Sequence, residues 1–362
     1  MHKTQPASLD RNYGIDLLRL VSMFLVTILH VLNQGGALDA ASGINQYVGA
    51  CMMLFTMCSV NCFGIISGYV LYSEHEQPYR FSKYFSIWLQ VFLYSFGLTL
   101  LSHLSELSKV TPKALLASAL PLTTDHYWYF TAYTGVFFLA PWLNKLVRGS
   151  SRAEMNKFAL CLFLLFSCFA SVGPDFGLNR GYSFLWLFVL YLLGAWLKKC
   201  AVAERVHARC AVLCIIINMA LSYAVGVLLN TTILGKFISP TVLAISVSLV
   251  ILFSRIRFGE LAKKWIVFWA PAAFGVYLIH VHKTVWNMLI KNRFAWIAEA
   301  PIWLYPLLVL LSAAAVFAAC LVIDRIRSSL FRLLRINSLG DKLFRLASNC
   351  AAGVFKKLYP IE

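Results

Sequence analysis

The chain has 362 residues, 60% of them hydrophobic and 13% charged, and carries a net charge of +17; its mean hydropathy is +0.73. No soluble domain of this size has that composition, so the sequence specifies an all-α, polytopic integral membrane protein. The positive charge does not imply nucleic acid, because Lys and Arg flank apolar segments instead of gathering on a separate basic face.

Ten spans follow from the apolar runs: 15–34, 46–72, 82–102, 127–147, 157–173, 182–198, 209–229, 236–254, 264–284 and 303–324. The run from Leu17 to Leu32 carries Arg19 and is long for a signal peptide, so it is read as an uncleaved first span. Between the third and fourth spans, Lys113 to Leu120 reads as a short interfacial helix on the outer face. Residues 1–327 thus form the membrane domain. The remainder, 328–362, alternates Leu and Phe with Arg and Lys and reads as one or two amphipathic helices on the cytoplasmic leaflet.

The basic residues orient this scheme. Of 32 Lys and Arg, 24 fall on the side of the N-terminus and 7 on the other, with Arg19 inside a span. The bias places both termini in the cytoplasm. The cysteines within spans (Cys51, Cys58, Cys62, Cys161, Cys168, Cys214 and Cys320) show no CxxC spacing. They read as small buried hydrophobes, with no disulfide and no metal site expected.

The first span holds the most informative pattern. Arg19 and His30 are eleven residues apart, which leaves about 20° of helical rotation and about 16 Å of rise between them. Asp16 lies one turn before Arg19 and is expected to pair with it and hold it in place. Ionisable side chains in a membrane helix face a protein-lined cavity and mark a functional site. By the charge bias, Asp16 and Arg19 lie near the cytoplasm and His30 lies near the outer face.

Two further histidines fall at a similar depth to His30: His280 in the ninth span and His126 at the start of the fourth. Imidazoles suit proton transfer near neutral pH. Each has a plainer reading. His126, beside Trp128 and Tyr129, also suits an interfacial aromatic belt, and His280, with His282 and Lys283 close behind, also suits a helix end. Asn61, Ser67 and Gly68 suit packing or interhelical hydrogen bonds. Arg80 and Lys83 follow the second span on the cytoplasmic side, where they suit either topology or a phosphorylated ligand.

Several segments together resemble the membrane acyltransferase family 3. Arg11-Asn-Tyr-Gly-Ile-Asp16-Leu-Leu-Arg19 with His30 resembles its first-span pattern. Phe63-Gly-Ile-Ile-Ser67-Gly68-Tyr69 resembles its second-span signature, Trp128-Tyr129-Phe130 with Pro141 its fourth span, and Phe274-Gly-Val-Tyr-Leu-Ile-His280 its C-terminal signature. The resemblance covers nearly the whole chain. It implies a bacterial cell-membrane O-acyltransferase that moves an acyl group, here read as acetyl, from cytoplasmic acyl-CoA to a hydroxyl of a cell-surface saccharide or lipid-linked glycan.

In that scheme His30, His280 and Asp16 serve the chemistry, with His30 as general base or transient acyl carrier. Arg19, Arg80 and Lys83 bind the CoA phosphates, and His126, Trp128 and Tyr129 meet the acceptor. The family's Arg-x-Arg pair is not matched, since Ser82 stands two residues after Arg80. No SGNH-type hydrolase domain is present, so a second transfer step would need another protein. The opening segment also resembles the membrane portion of the vancomycin-resistance serine racemases, which keeps a transporter of a small polar solute as the alternative.

Overall fold

The structure, a computed structural model, describes residues 11–76, 81–105, 110–124 and 126–358, and every regular element in them is helical. Helices stand at each of the ten expected positions: α1 (Tyr13–Leu32), α2 (Gly43–Leu71), α3 (Phe81–Leu104), α4 (Trp128–Gly149), α5 (Arg152–Val172), α6 (Phe184–Lys199), α7 (Ala208–Leu228), α8 (Ile233–Ser254), α9 (Glu260–His280) and α10 (Tyr305–Leu333). Seven of the ten are long and apolar enough to cross a membrane, the exceptions being α4, α6 and α9. Taken with Lys283–Glu299 across a 65° bend, α9 raises the number to eight. α6 has only 16 residues, and α4 mixes its apolar residues with Trp, Tyr, Thr, Asn, Lys and Arg. The count of crossing helices among the described residues is therefore seven or eight by length and composition.

Local chemistry sets the helix ends. Asn12 Oδ1 caps α1 by accepting from the Ile15 N–H at 3.1 Å. Ser151 and Glu154 form a reciprocal capping box at the start of α5. α2 is interrupted at Met57, next to Thr56, whose hydroxyl donates to the Met53 carbonyl at 2.6 Å; such back-bonding competes with the helical ladder.

Close backbone approach holds the bundle together. A Cβ at Gly68 would run into the Tyr191 carbonyl, and one at Gly194 into the Ile65 carbonyl, so α2 and α6 cross on small residues. Gly14 lets α1 meet the Phe253 carbonyl of α8 in the same way. At that end Asn12 Nδ2 donates to the Ser254 carbonyl at 2.8 Å. At the other end, the Asn292 and Phe294 N–H groups donate to the Gln34 and Gly35 carbonyls, both at 2.9 Å.

Three expectations change in detail. The ninth span does not run straight to residue 284; it ends at His280, and a new helix starts at Lys283. α10 continues without a break through 327–328 to Leu333, after which a single helix, Ile336–Leu358, follows a turn at Arg335 (φ 51°). That terminal helix docks on α3, with the Phe344 ring stacked on Phe81 at 4.8 Å. Finally, Cys51 and Cys161 are exposed, not buried like Cys58, Cys62 and Cys320; a small apolar thiol is compatible with a membrane-facing surface. The short helix Pro112–Ala119 forms where the apolar patch implied one, capped by Thr111.

Candidate functional site

α1 delivers both ends of the site. Near its start, Asp16 is buried and accepts from two guanidinium groups, Arg19 at 2.9 Å and Arg11 at 2.5 Å. Sequence spacing implied the Arg19 pair; Arg11 opens the first-span pattern, but its bond to Asp16 was not implied, because residues before a helix cap have no fixed direction. The two side chains keep 29% and 43% of their surface exposed, so both guanidinium groups retain N–H donors for an anion. Lys263 adds a third cation nearby, its ammonium 5.5 Å from the centre of the Tyr13 ring and paired with Glu260 at 2.7 Å. Lys83 is exposed on α3, and Arg80 lies outside the described residues.

At the other end of α1, His30 meets His280. His30 Nδ1 lies 2.8 Å from His280 Nε2, and His280 Nδ1 lies 2.5 Å from the Val276 carbonyl one turn back on α9. A carbonyl oxygen only accepts, so His280 Nδ1 carries a proton and donates it. In a neutral His280 that leaves Nε2 as an acceptor, which takes the proton of His30 Nδ1. The free lone pair of the pair is therefore His30 Nε2. His280 is fully buried while His30 is part-exposed, so the chain of hydrogen bonds runs from buried backbone to an accessible base. The Trp286 ring stands edge-on to His30, centroids 5.0 Å apart. Trp286 was not legible as a site residue, since only the bend after His280 turns it back onto α1.

His30 lines a partly open cavity. Met23, Val26 and Phe63 form one part of its wall and Phe274 and Tyr277 another; Trp128, Tyr129, Tyr182 and Phe237 line it as well. Trp128 and Tyr129 thus share the cavity with His30. His126 does not line it. Its ring lies 5.8 Å from that of His282, and burial, followed by the Lys283 ammonium, lowers its pKa. His282 is buried, approaches Thr99 Oγ1 at 3.1 Å and accepts from the Thr284 N–H. The three histidines singled out by depth therefore separate into two places: a His30–His280 pair on the cavity, and His126 beside His282.

A helical membrane scaffold with an acidic-basic cluster at one end of α1 and a hydrogen-bonded imidazole pair on an aromatic cavity at the other defines a polytopic membrane protein with a candidate site inside its bundle. The profile of the acyltransferase domain family matches residues 12–325, and the chain belongs to that family. With its apolar helices it is a membrane acyltransferase. No curated protein and no solved structure matches it.

Proposed function

We propose that this protein is an O-acyltransferase that takes an acyl group, acetyl in the simplest case, from cytoplasmic acyl-CoA and delivers it to a hydroxyl of a cell-surface saccharide or lipid-linked glycan. The observation that carries the reading is the His30–His280–Val276 chain, which leaves one unprotonated imidazole nitrogen on a ring that lines the cavity. The acceptor hydroxyl gives its proton to His30 Nε2 as its oxygen attacks the thioester carbonyl. The C–S bond then breaks, and the proton returns from His30 to the leaving sulfur, giving the ester and free CoA thiol. The cation that forms on His30 is stabilised through its Nδ1–H bond to His280, whose own orientation the Val276 carbonyl holds.

Arg19, with Arg11 beside it, suits the phosphates of the donor. The charge bias supports a cytoplasmic position for this end, and the roughly 16 Å of helix between Arg19 and His30 is a span for an extended pantetheine arm. Arg80 and Lys83 are proposed as outer contacts of the same donor.

The reading is tested with purified protein in sealed vesicles, acetyl-CoA on the side of the termini and a saccharide acceptor on the other. Free thiol should be released with ester formation in equal amounts, and both should depend on the acceptor. Gradient-driven solute uptake with no thioester consumed would establish transport instead.

A further inference from the structure

The cavity wall holds a second construction that proton transfer at His30 does not require. Three rings meet there at steep angles: Trp128 and Tyr182 have centroids 4.9 Å apart and inclined by 59°, and Tyr182 and Phe237 lie 5.0 Å apart at 60°. All three line the cavity that His30 lines. Phe237 is 2% exposed and Tyr182 47%, so one ring forms a floor and the other an open wall. Phe237 lies near the start of α8, whose far end is tied to the Arg19 end of α1 through Asn12 and Ser254. The rings therefore belong to the His30 end, away from the donor cations.

The backbone under these rings is unusually well fixed. The Phe237 carbonyl accepts from the buried Asn61 amide at 2.7 Å, and Asn61 in turn accepts from the Trp186 indole at 2.9 Å. The neighbouring Ile238 carbonyl accepts from Ser167 at 2.6 Å, out of a π-helical turn in α5; such turns are frequent at functional sites. The loop leading to Tyr182 places Phe176, Asn179 and Arg180 at positive φ (51°, 48° and 56°), which costs about 1 kcal/mol or more each and persists where the surroundings hold it. Gly181 has φ +105°, and a Cβ there would press on Phe237 at 2.5 Å. An interfacial belt needs none of this. The rings that suit a belt are Trp142, Trp265 and Trp303, which are 54–73% exposed on the outside of the bundle.

We propose that Trp128, Tyr182 and Phe237 form the acceptor subsite, a fixed aromatic platform that takes the C–H face of an uncharged saccharide ring and presents a ring hydroxyl to His30. Among the described residues no Asp, Glu, Lys or Arg lines the cavity, which disfavours an anionic or cationic ligand on the rings. A sugar ring has both faces the site needs: C–H bonds with partial positive charge for the negative face of an aromatic ring, and hydroxyls at its edge for an imidazole. The fate of that hydroxyl rests on the acyltransferase reading; the binding does not.

The test is direct binding, with purified protein in nanodiscs and the methyl glycosides of glucose, galactose and N-acetylglucosamine as probes, read by saturation-transfer NMR. Saturation should reach the C–H protons of one sugar face. Tyr182→Ala and Phe237→Ala should each weaken binding about tenfold, which corresponds to about 1.4 kcal/mol. Tyr182→Trp should retain binding. Tyr182 is exposed, so its variant remains informative even where Phe237→Ala fails to fold. Absence of binding for all three probes overturns the proposal, as does binding that Tyr182→Ala leaves intact. A change in acyl-chain preference without loss of glycoside binding would assign the rings to the donor and also overturn it. Protein that binds the glycosides but never consumes acyl-CoA upholds the platform and removes the acyltransferase reading alone.

Discussion

Gly275 and Asp324 occupy each other's space: a Cβ on Gly275 would overlap the carboxylate of Asp324. That carboxylate is fully buried in α10 and accepts from Gln90 at 2.9 Å, Tyr94 at 2.9 Å and both nitrogens of the Arg327 fork at 2.9 and 2.8 Å. Four hydrogen bonds leave it no room to move aside. The glycine in Phe274-Gly-Val-Tyr-Leu-Ile-His280 thus lets α9 lie against the ionic centre of α3 and α10, and His280 is carried by the same short helix. Gly275→Ala should therefore destabilise the protein by about 1–3 kcal/mol, the usual cost of overpacking. A thermal unfolding midpoint in detergent equal to that of the wild type would count against this contact.

The Asp324–Arg327 pair itself makes a sharper prediction. Removing one partner of a buried pair leaves an uncompensated charge and costs about 3–5 kcal/mol. Asp324→Ala should be poorly folded. The double variant Asp324→Leu with Arg327→Met should recover much of the loss, because apolar residues of similar volume replace such pairs at little cost. Comparing the unfolding of the single and double variants checks this, and equal instability in both would point to lost packing at Gly275 instead.

How much of this was legible in the sequence depends on distance along the chain. The Asp16–Arg19 pair and the shared face of Arg19 and His30 follow from helical geometry alone, and the helices formed where the apolar runs lay. The bond of Arg11 to Asp16 and the places of Trp286, Tyr182 and Phe237 were not legible, because what sets them is a cap, a 65° bend and two interhelical connections. Depth along the membrane selected His126 with His30 and His280, yet depth says nothing of the direction around a helix axis; His126 faces His282. For Asn61 the residue type suits packing or an interhelical hydrogen bond, and the structure shows the hydrogen bond, to the Phe237 carbonyl.

Topology is the next test. Cysteine labelling in intact cells should leave Glu204→Cys and a tail position such as Leu339→Cys unreacted, and should modify Asp39→Cys and Asn292→Cys. The uneven distribution of Lys and Arg motivates this orientation. Labelling of the tail from outside would place His30 on the donor's side and break the proposed path.

Arg19 tests the donor end. Lys retains the charge but lacks the planar fork that matches a phosphate, so Arg19→Lys should weaken CoA binding and Arg19→Ala should weaken it further. Because Arg11 also bonds Asp16, neither variant strands the carboxylate, and the fold should hold. Equilibrium binding of CoA, followed beside a thermal unfolding curve, separates the two effects. Unchanged affinity in folded Arg19→Ala would transfer the donor role to Arg11 and Lys263.

His30 and His280 make the last and strictest prediction, because their hydrogen bonds assign them different parts. His30 holds the free lone pair, and removing a general base costs on the order of 10²–10⁴ in rate. His30→Gln should lose acyl transfer to that extent while CoA binding persists. His280 is fully buried; it accepts from His30 Nδ1 and fixes which nitrogen stays unprotonated. His280→Phe should therefore lower kcat, again with donor affinity unchanged, since the His30 ring loses the acceptor that sets its tautomer. His280→Gln retains an amide oxygen that can accept from Nδ1–H and should recover part of that rate, whereas Gln at position 30 supplies no base and should recover none. The measurement is acceptor-dependent thiol release at matched protein levels. Full activity in His30→Gln would reduce the pair to a structural contact and leave the His126–His282 cluster as the remaining source of a base.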